Sequence, residues 1–158
     1  TAADLSSTLD LTGKTVTLPI GTGGQVLQQV TATTTSELSL TADSFTALIT
    51  ASITPLQSNS ILFFECEAVR LILGTGSAEG RVRFQDGTST SVTYRLVNFN
   101  TSFAVSYNPT FTGSITGTHT AGDTLTVGVY ATRQSGSATL TFGDNGSTSR
   151  LRVLEIAA

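Results

Sequence analysis

Residues 60–73 read SILFFECEAVRLIL, from Ser60 to Leu73, and their periodicity decides the class of fold. Leu62, Phe64, Cys66 and Ala68 fall on one face of an extended chain, while Ile61, Phe63, Glu65, Glu67 and Val69 fall on the other. That is the two-residue period of a β-strand, not the 3.6-residue period of a helix. A strand of an antiparallel sandwich normally keeps one face wet, yet this one carries phenylalanine on both. Two readings stay open. Either the chain's own loops cover the second face, or that face packs on another copy of the same chain. On the second reading Phe63, Glu65, Glu67 and Val69 are subunit-interface residues. The two carboxylates then need arginine partners, from among Arg81, Arg83, Arg150 and Arg152, because an unpaired buried carboxylate is costly.

The same alternation recurs along the chain, every 10 to 15 residues or so, with turn residues between. Gln25 to Thr35 reads as the first long strand. Phe45 to Ile53 places Phe45, Ala47, Ile49, Ala51 and Ile53 on one face and stops at Pro55, which has no amide hydrogen for a ladder. Arg81 to Gln85 points Val82 and Phe84 inward. Val92 to Phe99, Phe103 to Tyr107 and Pro109 to Ile115 follow. Thr124 to Arg133 turns Leu125, Val127, Val129 and Ala131 to the core, and Ser137 to Phe142 is expected to pair with it across RQSG. Ser149 to Ala157 closes the chain. The expectation is an all-β protein, an antiparallel jelly roll or β-sandwich of about nine to eleven strands.

Composition narrows the function. The chain has 158 residues, enough for one domain. Charged residues are 12% of it, against about 25% in an average globular protein. Threonine and serine stand in their place, which suits either a sheet protein that need not stay soluble as a free monomer or simple compositional drift. Net charge is −3, and one lysine and seven arginines are scattered without a basic stripe, so no nucleic-acid partner is expected. No apolar run reaches the roughly 20 residues of a membrane span, and no membrane partner is expected. The N-terminus lacks a signal-peptide pattern. A start at Thr1 in a chain without methionine fits removal of an initiator methionine. Cys66 is the one cysteine, so no disulfide forms within the chain.

Catalysis needs convergent titratable groups, and few are available. His119, the only histidine, lies in THTAGD and reads as a solvated turn residue. Ser114, His119 and Asp123 compose a triad on paper, but no G-x-S-x-G elbow surrounds Ser114. Glu65 and Glu67 share a face, and arginine pairing explains them better than sugar cleavage does. FGDNGSTS is shorter than a calcium loop and reads as a tight turn. GTGG at residues 21–24 lacks the GK[ST] and helix of a phosphate loop. The expectation is no enzyme, no cofactor and no metal.

Three separated blocks resemble a family of tailed-bacteriophage virion proteins. They are GQVLQQV (Gly24 to Val30), which precedes a Thr-rich stretch, SITPLQSNSIL (Ser52 to Leu62) and the closing VLEIAA (Val153 to Ala158). They occur in the family's order, and the resemblance covers most of residues 24–158, although Arg70 to Tyr107 matches no pattern of it. TAGDTLTVGVYATRQSGSATLTF, Thr120 to Phe142, is similar to the corresponding hairpin of trimeric TNF/C1q-like knobs. The resemblance implies a homotrimeric jelly roll on a virus particle, of the fibre, head-fibre or capsid-decoration type. It implies a partner in the major capsid protein or another virion protein, a place on the capsid surface, and assembly in the host cytoplasm. Decoration (cement) is favoured over a tail fibre because 158 residues leave no room for a shaft. The alternative is a receptor-binding tip that contacts host glycans.

LDLTGKTVTLP, Leu9 to Pro19, is set off from the rest by the glycines at 21–24. The expected division is an extended N-terminal arm over residues 1–23 and a sandwich domain over 24–158. Leu9 and Leu11 share one parity, and Val16 and Leu18 the other after the Thr12-Gly13 turn. An exposed strand with apolar residues invites pairing, so the arm is either an ordinary first strand or an anchor completed by the capsid or a neighbouring subunit through strand addition.

Overall fold

The computed structural model describes residues 24–41, 44–68, 70–73, 78–87, 94–98, 105–116, 118–136, 139–143 and 146–158. The arm residues Leu9, Leu11, Val16 and Leu18, and Val69 of the expected interface, lie outside the described residues. Twelve strands are described, and none of the described residues is helical. They are β1 (Val26–Thr34), β2 (Leu38–Leu40), β3 (Thr46–Ile53), β4 (Ile61–Glu67), β5 (Leu71–Leu73) and β6 (Ala78–Gln85), then β7 (Tyr94–Asn98), β8 (Val105–Tyr107), β9 (Thr110–Thr116), β10 (Leu125–Gly136), β11 (Leu140–Phe142) and β12 (Ser149–Ile156).

All the pairings are antiparallel, in three four-stranded sheets of order β1-β12-β4-β9, β2-β11-β5-β8 and β3-β10-β6-β7. The first two sheets have the same order, strand for strand. β2 continues β1, β5 continues β4, β8 leads into β9 and β11 leads into β12. They are one layer of four long strands, each interrupted once. Counted so, the chain has eight long strands, with the first, eighth, third and sixth in one layer and the second, seventh, fourth and fifth in the other. That is the strand order of a jelly roll. The twelve segments exceed the expected nine to eleven because the interruptions split four of the eight strands.

The interruptions line up as a crease across the layer. Ala68 N–H donates to the Pro109 carbonyl (3.0 Å), Gly143 N–H to that of Arg70 (2.7 Å) and Gly146 N–H to that of Thr35 (3.4 Å), so the backbone stays bonded where the ladders stop. The crease corrects the reading of Ser60 to Leu73 as one strand. A continuous strand places Arg70 and Ile72 on the buried parity of Leu62, Phe64, Cys66 and Ala68. The break at 68–70 resets the parity by one residue, so Leu71 is fully buried while Arg70 and Ile72 stay partly exposed.

Two further expectations shift for local reasons. A bulge against Val129 and Tyr130 inserts Leu48 into β3, because Ile49 pairs with Val129 but Ala47 with Tyr130. Ala47 is therefore exposed, and Phe45 meets the Arg83 guanidinium at 3.7 Å from its ring centroid. RQSG is also no hairpin. β10 continues to Gly136 along β6, and β11 crosses to the other layer to pair with β2 and β5. Between the layers, Phe64 and Phe84 stack at 5.0 Å in a core that includes Leu62, Val82, Val127, Val129, Leu151 and Val153. Such a pair adds about 0.5–1.5 kcal/mol beyond its area burial.

Gly143 has φ +90°, and a Cβ there would lie 2.7 Å from the Ser36 carbonyl oxygen; Gly146 has φ +91° and open space. Gly146→Ala should cost about 1–2 kcal/mol for the left-handed backbone alone. Gly143→Ala should cost roughly 1–3 kcal/mol more, for the backbone clash at the crease. Urea unfolding of the two variants checks the difference, and equal losses would mean that the crease yields freely.

Candidate functional site

Two places in the creased layer concentrate polar chemistry, one inside the sandwich end and one on the outward face. The inner one is built on β12. Leu151, Val153, Glu155 and Ala157 share the buried parity of that strand, so a carboxylate enters the core at Glu155, which is fully buried. Its oxygens accept from Gln28 Nε2 (2.6 Å), Leu56 N–H (2.9 and 3.0 Å), Gln57 N–H (3.0 Å) and the Ser60 hydroxyl (2.8 Å). Gln28 reaches it because of a bulge. Val26 pairs with Ile156 and Gln28 with Glu155, so the extra residue Leu27 turns Gln28 inward while Val26 stays 51% exposed. Gln28 also donates to the Thr54 carbonyl at 2.7 Å. Burial pulls the Glu155 carboxyl upward, but the backbone and side-chain hydrogen bonds outweigh it and hold the group below its ordinary value.

The loop from Thr54 to Ser60, wrapped on this carboxylate, is stitched to the loop before β10. Asn59 N–H donates to the His119 carbonyl (3.1 Å), Gly122 N–H to that of Pro55 (2.9 Å) and Ala121 N–H to the Ser58 hydroxyl (3.0 Å). Asn59 adopts φ 58°, the left-handed region that asparagine tolerates better than most residues. His119 is accordingly not a solvated turn residue. It is 8% exposed, and its Nε2 lies 2.8 Å from Ser60 Oγ. The loop composition around it says solvent, but the partner that buries it is 59 residues away in sequence.

Serine, histidine and carboxylate do meet here, in the wrong order for catalysis. Ser60 Oγ donates its one hydrogen bond to Glu155, which leaves it to accept from His119 Nε2–H, and the carboxylate touches the serine instead of orienting the imidazole. Ser60 is also fully buried, out of reach of a substrate. Ser114 lies on β9 and takes no part in this network. Among the described residues no group of three His, Cys, Asp or Glu is placed to hold a metal. The Cys66 thiol is pushed up to about 12 by burial and by the nearby Glu67 charge, so it stays protonated.

The outward face of β1-β12-β4-β9 is set by register in four rows. Thr33, Arg150, Glu67 and Thr110 form the first, and Thr31, Arg152, Glu65 and Thr112 the second. Gln29, Leu154, Phe63 and Ser114 form the third, and Val26, Ile156, Ile61 and Thr116 the fourth. Half the face is charged and half carries a patch of partly exposed apolar side chains. The charged half is a trough of about 410 Å³. Phe63, Glu65 and Glu67 therefore do share one outward face, as expected. Of the four arginines expected beside the glutamates, Arg152 pairs with Glu65. Arg81 and Arg83 lie in the other layer, where Arg81 pairs with Glu79 at 3.5 Å and Arg83 donates to Gln85.

No family model matches the chain, and no curated protein does. Among solved structures it is similar to the infectious bursal disease virus VP2 in the crystal structure of the subviral particle, at 12% identity and a TM-score of 0.27. The match covers 84% of this chain and 43% of that one, a likeness too slight to bear on the role of this chain.

The Glu155 network yields a prediction with a definite pH sign. A carboxyl held below its unfolded value of about 4.3 stabilises the fold above that pH, and the contribution is lost as pH falls through the folded value. Glu155→Gln should cost on the order of 2–4 kcal/mol at pH 7, because several charge-assisted hydrogen bonds are lost together. The gap to the wild type should narrow as pH falls below about 4. Urea unfolding at pH 7, 5, 4 and 3 checks it, and a gap independent of pH would rule out an ionised Glu155.

Proposed function

We propose that this chain is a non-enzymatic structural protein of a tailed-phage particle, a jelly-roll subunit that binds the capsid exterior as a trimer and stabilises it, as a decoration or cement protein does. One observation carries the reading. The three blocks that resemble phage virion proteins are distant in sequence, yet they meet in the fold. Gly24 to Val30 supplies Gln28, Ser52 to Leu62 supplies Thr54, Leu56, Gln57 and Ser60, and Val153 to Ala158 supplies Glu155. A chance likeness of short strings has no reason to select the members of one hydrogen-bond network. The jelly-roll order adds support by analogy, since capsid and lectin domains use it often. The buried Ser-His-Glu order, which offers no reachable nucleophile, favours a structural role over a catalytic one.

Within this proposal residues 1–23 are the attachment arm, with Leu9, Leu11, Val16 and Leu18 as its contacts to the capsid surface. Purified chain added to particles that lack it should bind in a copy number fixed by the lattice and raise the capsid melting temperature, with adsorption to cells unchanged. Deleting residues 1–20 should leave a folded trimer that no longer attaches. Binding to cells or surface polysaccharide, with block of infection by free protein, would overturn the decoration reading in favour of a receptor-binding tip.

A further inference from the structure

The outward face of β1-β12-β4-β9 carries two features that the Glu155 network does not use. In its first row Glu67 and Arg150 stand opposite each other in register, both exposed, and neither has an ion-pair partner among the described residues. In the next row Glu65 and Arg152 are joined to each other. Beyond them Phe63, Leu154, Ile61 and Ile156 make an apolar patch that continues to the exposed Val26. The other layer offers no such pair in β6, where Arg81 is held by Glu79 and Arg83 lies against Phe45 and Gln85.

We infer that this face is where copies of the chain meet, with Arg150 of one copy on Glu67 of the next and the apolar rows closed between them. The inference rests on the proposed trimer and adds where its subunits touch. The occupant follows from charge. The face holds two arginines and two glutamates, so it is neutral as a whole, and among the described residues its first row offers an unpaired cation beside an unpaired anion. An acidic partner such as a nucleic acid needs a basic face, and a basic partner needs an acidic one. A second copy of this face brings the complement of both groups. In a closed ring every copy donates one arginine and receives one, so three identical pairs complete a trimer with no charge left over. The apolar rows supply the driving force, because a contiguous patch of this kind is unfavourable in water. The charged rows then select the register and reject misaligned copies, in which like charges would face each other.

Zero-length coupling by a carbodiimide reads this contact directly. Lys14 is the only lysine, and arginine does not couple, so Arg150→Lys introduces one new reactive amine. In Arg150→Lys the reagent should give covalent dimers and trimers on a denaturing gel, with the introduced amine linked to Glu67 in the peptide map. Adding Glu67→Gln should remove that product. As a second measurement, Phe63→Trp gives the chain its only tryptophan, whose emission should move to the blue as concentration rises through assembly. Glu67→Arg should raise the concentration needed for assembly by about tenfold or more, from the like-charge contact with Arg150. A trimer by sedimentation equilibrium that yields only links within one copy, with tryptophan emission independent of concentration, would overturn this face and leave the trimer standing. A wild-type monomer at about 100 μM, far above the Kd of stable oligomers, would overturn the trimer reading itself.

Discussion

A fully buried carboxylate sets the terms for the end of this sandwich where both long loops close. Taking an ionised glutamate out of water costs several kcal/mol unless hydrogen bonds replace its hydration. Glu155 recovers that cost from four groups on two segments, the Gln28 amide of β1 and the Leu56, Gln57 and Ser60 donors of the loop between β3 and β4. Each segment is bent to suit it. The bulge at Leu27 aims Gln28 inward, and the loop turns two successive backbone amides toward one oxygen pair. Buried His119 joins the same network, because Ser60, whose hydroxyl hydrogen points to Glu155, is left to accept from the His119 Nε2–H.

The crease is the second constraint, and it works on parity instead of charge. Side chains alternate along a strand, so a long strand can bury only residues an even number apart. β4 needs Leu62, Phe64 and Cys66 inside, and its continuation needs Leu71 inside, nine residues after Leu62. No unbroken strand satisfies both. An interruption restores the match, and it costs little because the neighbouring strands are broken at the same level and keep their backbone groups bonded across the gap. Gly143 is what lets that happen beside Ser36, where any side chain would meet a carbonyl oxygen.

Much of this was legible in the sequence, and the misses share a cause. Alternation at 60–68, 81–85 and 125–131 gives the strands and their inward residues correctly, because local burial alone sets that pattern. The opposition of Glu65 to Arg152 was legible only as one choice among four arginines, since pairing depends on which strands become neighbours. His119 and the RQSG segment were misread because loop-like composition says nothing about what a distant strand brings. Ser60 buries the first, and β6 pairs with the second. Glu155 left a readable trace in a carboxylate on the buried parity of β12, with Leu151 and Val153 before it and Ala157 after. What the string lacks is the identity of its donors, which arrive from more than 90 residues away in every case.

Inward and outward chemistry on β12 are not independent. Its residues alternate between Leu151, Val153 and Glu155 inside and Arg150, Arg152 and Leu154 outside. A slip of one residue against either neighbour would exchange the two sets, burying two arginines and exposing the carboxylate. The several bonds to Glu155 make such a slip prohibitive, because they require that one residue at that one level of the core. The lock acts on β1 as well as β12, and through β12 on β4, which are the strands that carry Gln29, Thr31, Arg150, Arg152, Glu65 and Glu67. Holding the inner register therefore also holds the outer rows of charge and apolar surface in alignment. The contact between copies inferred for this face depends on that alignment, since an error in one subunit is repeated in all of them.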